Sequence, residues 1–102
     1  MHIVMTRVKL RDGTSGQCAE LFRSTNPDLV KDEQDWLGAK MLFDSESSTV
    51  TVLASWKNKE SYKALSATPK FQATMQEFAR FFASPPEITT HDLLVEMSSE
   101  TI

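Results

Sequence analysis

Two stretches of alternating apolar and polar residues lie next to each other in the middle of the chain, separated by a short polar segment. An apolar side chain occurs at every second position of residues 36–44 and again of residues 49–56. A period of two is typical of a β-strand, whose successive side chains point to opposite faces of the sheet. The joining segment reads Asp-Ser-Glu-Ser-Ser, which is typical of a turn. The sequence therefore predicts an antiparallel β-hairpin over residues 36–56.

The segment before the hairpin predicts a strand followed by two helical pieces. Residues 2–10 are rich in β-branched and apolar side chains, and an Asp-Gly pair at 12–13 ends them. Thr14 and Gln17 have the spacing of a capping box, so a helix is expected to begin there. The Asn-Pro pair at 26–27 predicts a second helix start, because asparagine caps helices and proline tolerates their first position. The stretch to about residue 33 is expected to be a short helix or an irregular connection.

The segment after the hairpin predicts two helices and a last strand. Asn58 caps the first helix, and a Thr-Pro pair at 68–69 begins the second, which the prolines at 85–86 stop. Residues 87–97 return to a strand pattern, and residues 98–102 are expected to form a fraying tail. The second helix is expected to carry one apolar stripe, formed by Phe71, Met75, Phe78 and Phe82.

The element order is therefore β-α-β-β-α-β, which predicts an α+β, ferredoxin-like sandwich with an antiparallel sheet. A chain of 102 residues has room for a single core, so we expect one domain over residues 1–97 and a tail over 98–102. Adjacent strand residues, which point to opposite faces of the sheet, are both apolar in places such as Val52 and Leu53. Both faces of the sheet are therefore expected to pack against other structure. A second copy packed sheet against sheet provides that cover and predicts a homodimeric α/β barrel.

Charge and composition argue against several classes of protein. The net charge is −3 and the eleven Lys and Arg residues are scattered, whereas a nucleic-acid-binding surface needs a basic stripe. No apolar run is long enough to cross a bilayer. Cys18 is the only cysteine, which excludes an intrachain disulfide and favours a buried, inert thiol. Because residues 1–7 also lack the pattern of a signal peptide, a cytoplasmic location is expected.

Three segments of this chain resemble the antibiotic biosynthesis monooxygenase family of dimeric α/β-barrel proteins. They are Trp-Leu-Gly-Ala at 36–39, Ser-Trp-Lys-Asn-Lys-Glu-Ser-Tyr at 55–62 and Thr-Pro-Lys-Phe at 68–71. The resemblance implies a pocket between the sheet and the helices of each protomer. In the members that are oxygenases without metal, flavin or haem, a phenolate or enolate there passes an electron directly to oxygen, so no cofactor is expected.

The resemblance also suggests site residues. Trp56 and Tyr62 match in type and spacing a Trp and a Tyr that line the pocket in the polyketide-phenol oxygenases of the family. The family's Asn four residues before that Trp is Val52 here, and its frequent helix His is Met75. The haem-degrading branch is a poorer match, because its haem-ligating His also falls on Met75 and its ring-distorting Trp falls near Leu65.

The catalytic candidates are His91, Trp56 and Tyr62. His91 is the one plausible general base, since an imidazole has an ordinary pKa of about 6.5; the alternative is a structural or interface histidine. The alternative for both aromatic residues is simple core packing. With only two distant histidines, no metal site is expected. The candidate substrate-binding residues are Phe71, Met75, Phe78, Phe82, Trp36 and Arg7, the last of which could instead pair with an acidic residue across the dimer.

The sequence thus leads to two hypotheses of different classes. The first is a cofactor-independent monooxygenase acting on a small aromatic or quinol-like compound. The second is a non-catalytic dimeric domain that binds a small apolar metabolite in the same pocket, and a haem-degrading enzyme is a weaker third. Oxygen consumption separates the first two, because a binding domain saturates with ligand without using oxygen.

Overall fold

The predicted hairpin is present and forms one side of a four-stranded antiparallel sheet. Its strands are β2, Trp36–Asp44, and β3, Thr49–Trp56. Strand β1, His2–Lys9, pairs with the other edge of β3, and β4, Glu87–Asp92, pairs with β1. The strand order is β2-β3-β1-β4. The computed structural model describes all of residues 1–102.

Three helices cover one face of this sheet. They are α1, Ser15–Val30, α2, Lys59–Ser66, and α3, Pro69–Phe78, and α3 is extended by a 3₁₀ turn at Ala79–Phe81. The element order is β1-α1-β2-β3-α2-α3-β4, so the second helical layer consists of two consecutive short helices. This is the ferredoxin-like α+β arrangement that the sequence predicts.

The core lies between the sheet and the helices in two adjoining clusters. One surrounds Cys18 of α1 and includes Val8, Val50, Phe78 and Phe81, and the other surrounds Trp56. Burying each of these large apolar side chains contributes about 1.5–3 kcal/mol. Cys18 is fully buried, as predicted. The second cluster contains Val4, Leu29, Val30, Trp56 and Leu65.

The predicted break at Asn26-Pro27 is wrong, because α1 runs through it without interruption. Proline inside a helix removes one hydrogen bond and costs about 3 kcal/mol. The turn beyond it brings Leu29 and Val30 into the core, where both are buried. Burial of two such side chains, at about 1.5–3 kcal/mol each, offsets the loss and keeps the helix continuous.

Two of the four predicted N-caps, Asn58 and Thr68, are confirmed, and Asn26 lies inside α1 instead of capping a helix. The Asn58 side chain accepts a hydrogen bond from the Ser61 backbone N–H at 2.9 Å, and Thr68 accepts one from Phe71 at 3.2 Å. The capping box at Thr14 is wrong: its side chain accepts no helix N–H. Its hydroxyl instead donates to the Arg11 carbonyl at 2.7 Å, within the turn that precedes the helix.

The C-terminal third also differs from the prediction. Helix α3 ends at Phe78, and Phe82 lies beyond the 3₁₀ turn in extended backbone, where it bridges to Leu10. The last strand ends at Asp92 instead of residue 97. Strand β1 begins at His2, so β4 has no partner beyond that point except at Leu93, whose backbone N–H donates to the Met1 carbonyl.

The outer face of the sheet, opposite the helices, is partly apolar. Strand register places Ile3, Met5 and Leu53 on this face, each half-buried. Leu42 on β2 joins them and is 49% exposed. The sheet therefore carries apolar side chains on both faces, as the parity of the sequence predicts. None of the helices has the length and apolarity that a membrane crossing requires.

Candidate functional site

A cavity of about 120 Å³ lies between the sheet and the helices, where the two core clusters meet. Of the 21 residues that line it, 19 are hydrophobic. Its volume is close to that of an engineered apolar cavity of about 150 Å³ that binds benzene. Sites for drug-sized ligands are larger, about 300–1,000 Å³. The cavity therefore fits a single aromatic ring.

Seven of the nine predicted site residues line this cavity. They come from four elements and from the segment after the 3₁₀ turn, and β-strand alternation places the two tryptophans on the helix side of the sheet. A bulge between Trp36 and Gly38 shifts the β2 register and pairs Trp36 with Trp56. The seven are Trp36, Trp56, Tyr62, Phe71, Met75, Phe78 and Phe82.

The other two predicted residues, His91 and Arg7, do not line the cavity. Both are exposed. Their register with Ile3 and Thr51 puts them on the outer face, so the sheet separates them from the cavity of the same protomer. His91 Nε2 instead lies 2.8 Å from the Thr89 hydroxyl. The position of His91 agrees with the alternative of a structural or interface histidine.

Trp56 supplies the most unusual polar group of the cavity. Its side chain ends β3 and is 2% exposed, and its indole Nε1 is buried without a hydrogen-bond partner. An unpaired buried donor costs about 1–3 kcal/mol, so native proteins rarely keep one. A ligand oxygen inside the cavity would supply the missing acceptor.

Tyr62 packs edge-on against Trp56, with ring centroids 5.9 Å apart, and against Phe71 at 6.4 Å. It begins the buried side of α2, which also carries Leu65. Burial raises the pKa of the Tyr62 phenol above its ordinary value of 10.0. The hydroxyl therefore stays protonated at neutral pH and acts as a hydrogen-bond donor, not as a base.

Thr6 and Asn26 are polar residues of the cavity that the sequence analysis did not select. Thr6 faces the helices at the centre of β1, and Asn26 lies on the inner side of α1. Asn26 follows Phe22 by four residues and Cys18 by eight, which is one face of a helix. This spacing identifies Asn26 as a cavity residue only if α1 continues past it. Pro27 argues against that continuity at the level of sequence, because proline usually begins or ends a helix.

No residue that lines the cavity is charged at neutral pH. Cys18 and Tyr62 are its titratable groups, and burial raises the pKa of each above its ordinary value. Nowhere in the chain do three or more His, Cys, Asp or Glu side chains come together as a metal ligand set. The cavity offers hydrogen-bond donors and an apolar wall, and these suit an uncharged ring or a ring anion.

His2 lies next to this site without lining it. It pairs with Trp56 across β1 and β3 and is 4% exposed. Its Nδ1 lies 3.2 Å from Asp92 Oδ1, and its Nε2 is buried without a partner. Two unpaired polar atoms thus belong to directly opposed residues at one end of the sheet.

Together these observations define a small ferredoxin-like α+β protein with an apolar cavity between its sheet and its helices. The family model for antibiotic biosynthesis monooxygenases matches residues 1–77. The chain therefore belongs to the antibiotic biosynthesis monooxygenase family.

Solved structures show the same fold at low sequence identity. SnoaB from Streptomyces nogalater, a cofactor-independent oxygenase, aligns with a TM-score of 0.78 at 10% identity over 94% of this chain and 95% of its own. Rv0793 from Mycobacterium tuberculosis aligns with a TM-score of 0.76 at 11% identity, over 95% of this chain and 98% of its own. A Nitrosomonas europaea protein of unknown function aligns with a TM-score of 0.74 at 22% identity, over 95% of this chain and 92% of its own. No curated protein matches this sequence.

Proposed function

We propose that this protein is a cofactor-independent monooxygenase whose substrate is a phenol or quinol with a single aromatic ring. The unpaired Trp56 indole N–H in an apolar cavity carries the proposal, because it requires an acceptor such as a ring oxygen. Tyr62, beside it, stays protonated and supplies a second donor. The cavity volume sets the one-ring limit. Family membership supports the reaction class.

The proposed reaction needs positioning and anion stabilisation from the protein. A phenolate in the cavity passes one electron to O₂, which gives a ring radical and superoxide. Recombination of these two at a ring carbon that carries hydrogen, with return of the proton that the phenol lost on ionising, gives a hydroperoxide. Cleavage of its O–O bond with loss of the C–H proton releases water and leaves the quinone. Trp56 and Tyr62 stabilise the phenolate oxygen by donating hydrogen bonds to it, and the apolar wall strengthens these bonds by excluding water.

Oxygen uptake by the purified protein tests this proposal. One-ring phenols and hydroquinones are compared with a three-ring phenol, and uptake above autoxidation is expected for the one-ring compounds alone. Trp56→Phe should reduce uptake, whereas Ser24→Ala, on the exposed side of α1, serves as the matched control. Loss of uptake in His91→Ala would retain His91 as a base, and unchanged uptake would exclude it. Uptake no faster than autoxidation for every compound contradicts the proposal.

The second candidate, a non-catalytic binding domain, is favoured by one observation. No cavity residue ionises near neutral pH, so the site contains no general base of its own. This candidate predicts saturable binding of the same one-ring compounds, with Trp56→Phe weakening it, and oxygen consumption equal to autoxidation. Calorimetric titration beside the uptake assay separates the two functions.

We also propose that the protein forms a homodimer through the outer face of the sheet. Ile3, Met5 and Leu53 are half-buried there, and Leu42 remains 49% exposed. The tail beyond β4 adds Leu94 and other exposed apolar side chains. A second copy of the same face would cover this surface symmetrically. The domain limits of residues 1–97 and 98–102 stay a prediction.

A further inference from the structure

A second, outer hollow lies between α1 and β2 and adjoins the cavity. Its volume is about 360 Å³. Three residues, Phe22, Asn26 and Met41, line both spaces, so they form the partition between them. The remaining lining residues are Ala19, Arg23 and Pro27, all on the same turns of α1.

The partition is polar at Asn26. This residue is half-buried, and its side-chain amide has no hydrogen-bond partner within the chain, whereas the neighbouring Thr25 hydroxyl donates to the Leu21 carbonyl. Pro27 has no N–H, so the Arg23 carbonyl lacks its helical partner on this side of α1. The wall here therefore offers the unpaired side-chain amide of Asn26, next to a point where α1 lacks one of its backbone hydrogen bonds.

We propose that the outer hollow is the mouth of the ligand cavity and that Asn26 is a specificity-determining residue that hydrogen-bonds a second polar group of the ligand. The proposal rests on the function proposed above and extends it to the substrate class. Phe22 and Met41 form the apolar sides of the mouth.

Strand register places Met41, at the mouth, and Trp56 apart along the sheet. Met41 at the mouth pairs with Val52, which precedes Trp56 by four residues. Four residues of β-strand span about 13 Å. A ligand that reaches both ends carries oxygen atoms at opposite positions of its ring. The site is therefore expected to prefer a 1,4-dihydroxybenzene to a phenol with one oxygen.

Anaerobic calorimetry with phenol and 1,4-dihydroxybenzene tests the role of Asn26. The wild-type protein should bind the dihydroxy compound about 5- to 10-fold more tightly, the value of one net hydrogen bond. Asn26→Leu should reduce this affinity ratio to about 2, because a molecule with two equivalent hydroxyl ends can bind in two orientations. Asn26→Gln should keep part of the ratio, since it keeps an amide. Ser24→Leu, on the same helix, should keep all of it. An unchanged ratio in Asn26→Leu overturns the proposal. If neither compound binds the wild-type protein, the proposed function fails as well.

Chemical blocking tests the position of the mouth. Ala19→Cys places a thiol in the outer hollow, while the native Cys18 is buried and does not compete for a bulky maleimide. Maleimide-modified Ala19→Cys should bind 1,4-dihydroxybenzene much more slowly than the unmodified variant. Modified Ser24→Cys, on the exposed side of α1, should bind at the wild-type rate. If both modified variants bind at the wild-type rate, the ligand enters elsewhere.

Discussion

The residue that most closely ties structure to function is Trp56. Its indole is buried at the end of β3, where most proteins would pair the N–H with a carbonyl. Here the N–H has no partner, and the indole ring packs edge-on against Tyr62 in a cavity lined almost entirely by apolar groups. A buried donor without a partner is a cost to folding, of about 1–3 kcal/mol, that ligand binding can recover.

Replacing Trp56 by Phe should affect ligand affinity more than stability. The lost ring volume costs about 1–2 kcal/mol, but removing the unpaired N–H offsets part of that cost. The affinity for a phenol should fall by about 5- to 10-fold, because one hydrogen bond is lost. Urea unfolding and calorimetric titration measure the two effects. Equal affinity of both proteins for phenol would contradict the role of the indole.

Two buried titratable groups predict weaker folding at high pH. Burial raises the pKa of Cys18 above 9.0 and that of Tyr62 above 10.0. A group whose pKa is raised in the folded state binds its proton more tightly there, so stability falls as pH rises above the unfolded pKa. Urea midpoints between pH 7 and pH 11 should fall from about pH 9 onwards. Cys18→Ala should shift the fall in the urea midpoint to higher pH. A urea midpoint that does not change with pH in the wild-type protein would contradict the prediction.

At the scale of elements, the hairpin was the most predictable part because its alternation repeats over two complete strands. The caps of α2 and α3 were also predictable, because Asn58 and the Thr-Pro pair at 68–69 form their cap hydrogen bonds within four residues of sequence. Helix α1 was not, because its continuity depends on the burial of Leu29 and Val30 against elements distant in sequence. Asn26 was missed as a consequence.

The N-cap of α2 is also part of a larger hydrogen-bond cluster. Asp35 Oδ2, just before β2, accepts from Asn58 Nδ2 at 3.0 Å and from the Ser61 hydroxyl at 2.5 Å. These two hydrogen bonds, that from Ser61 first, lower the pKa of Asp35 below 3.8. The stability this gives is present above pH 3.8 and is lost as pH falls through the lower, folded-state pKa.

Asn58→Ala should therefore destabilise the protein by about 1 kcal/mol or more, because it removes a working cap. Thr14→Ala is the matched comparison, since Thr14 occupies an N-cap position without capping. It should cost only a few tenths of a kcal/mol, the scale of an ordinary surface substitution. Urea denaturation of both variants measures the difference. Equal losses would show that Asn58 does not stabilise α2 as the structure indicates.

At the scale of the whole molecule, the sequence was sufficient for the fold but not for all of the site. The cavity residues Phe71, Met75 and Phe78 of α3 follow from local helical periodicity, whereas Trp56 and Tyr62 were suggested by the family resemblance. The placement of His91 and Arg7 follows instead from strand register with distant parts of the chain. His91 pairs with Ile3, 88 positions away, and Arg7 pairs with Thr51. The alternation within one strand separates its side chains into two faces, but it does not tell which of the two faces meets the helices.

The outer sheet face gives a prediction about assembly. Leu53→Glu places a charge in the middle of the proposed dimer interface and should convert the protein to a monomer, because a buried unpaired carboxylate is costly. Ala73→Glu, on the exposed surface of α3, should leave the dimer intact. Sedimentation equilibrium measures both molecular masses. A monomeric wild-type protein, or a dimeric Leu53→Glu, would contradict dimerisation through this face.

The most direct test of the ligand site is an anaerobic NMR titration of the two tryptophan indole N–H signals. The chain has two tryptophans, Trp36 and Trp56, and both line the cavity; Trp36→Phe assigns the signals. With 1,4-dihydroxybenzene, the Trp56 indole proton should move strongly downfield as it gains an acceptor, whereas toluene, of similar size, should move it without that downfield change. If neither indole signal responds to any one-ring compound, the cavity is not a ligand site.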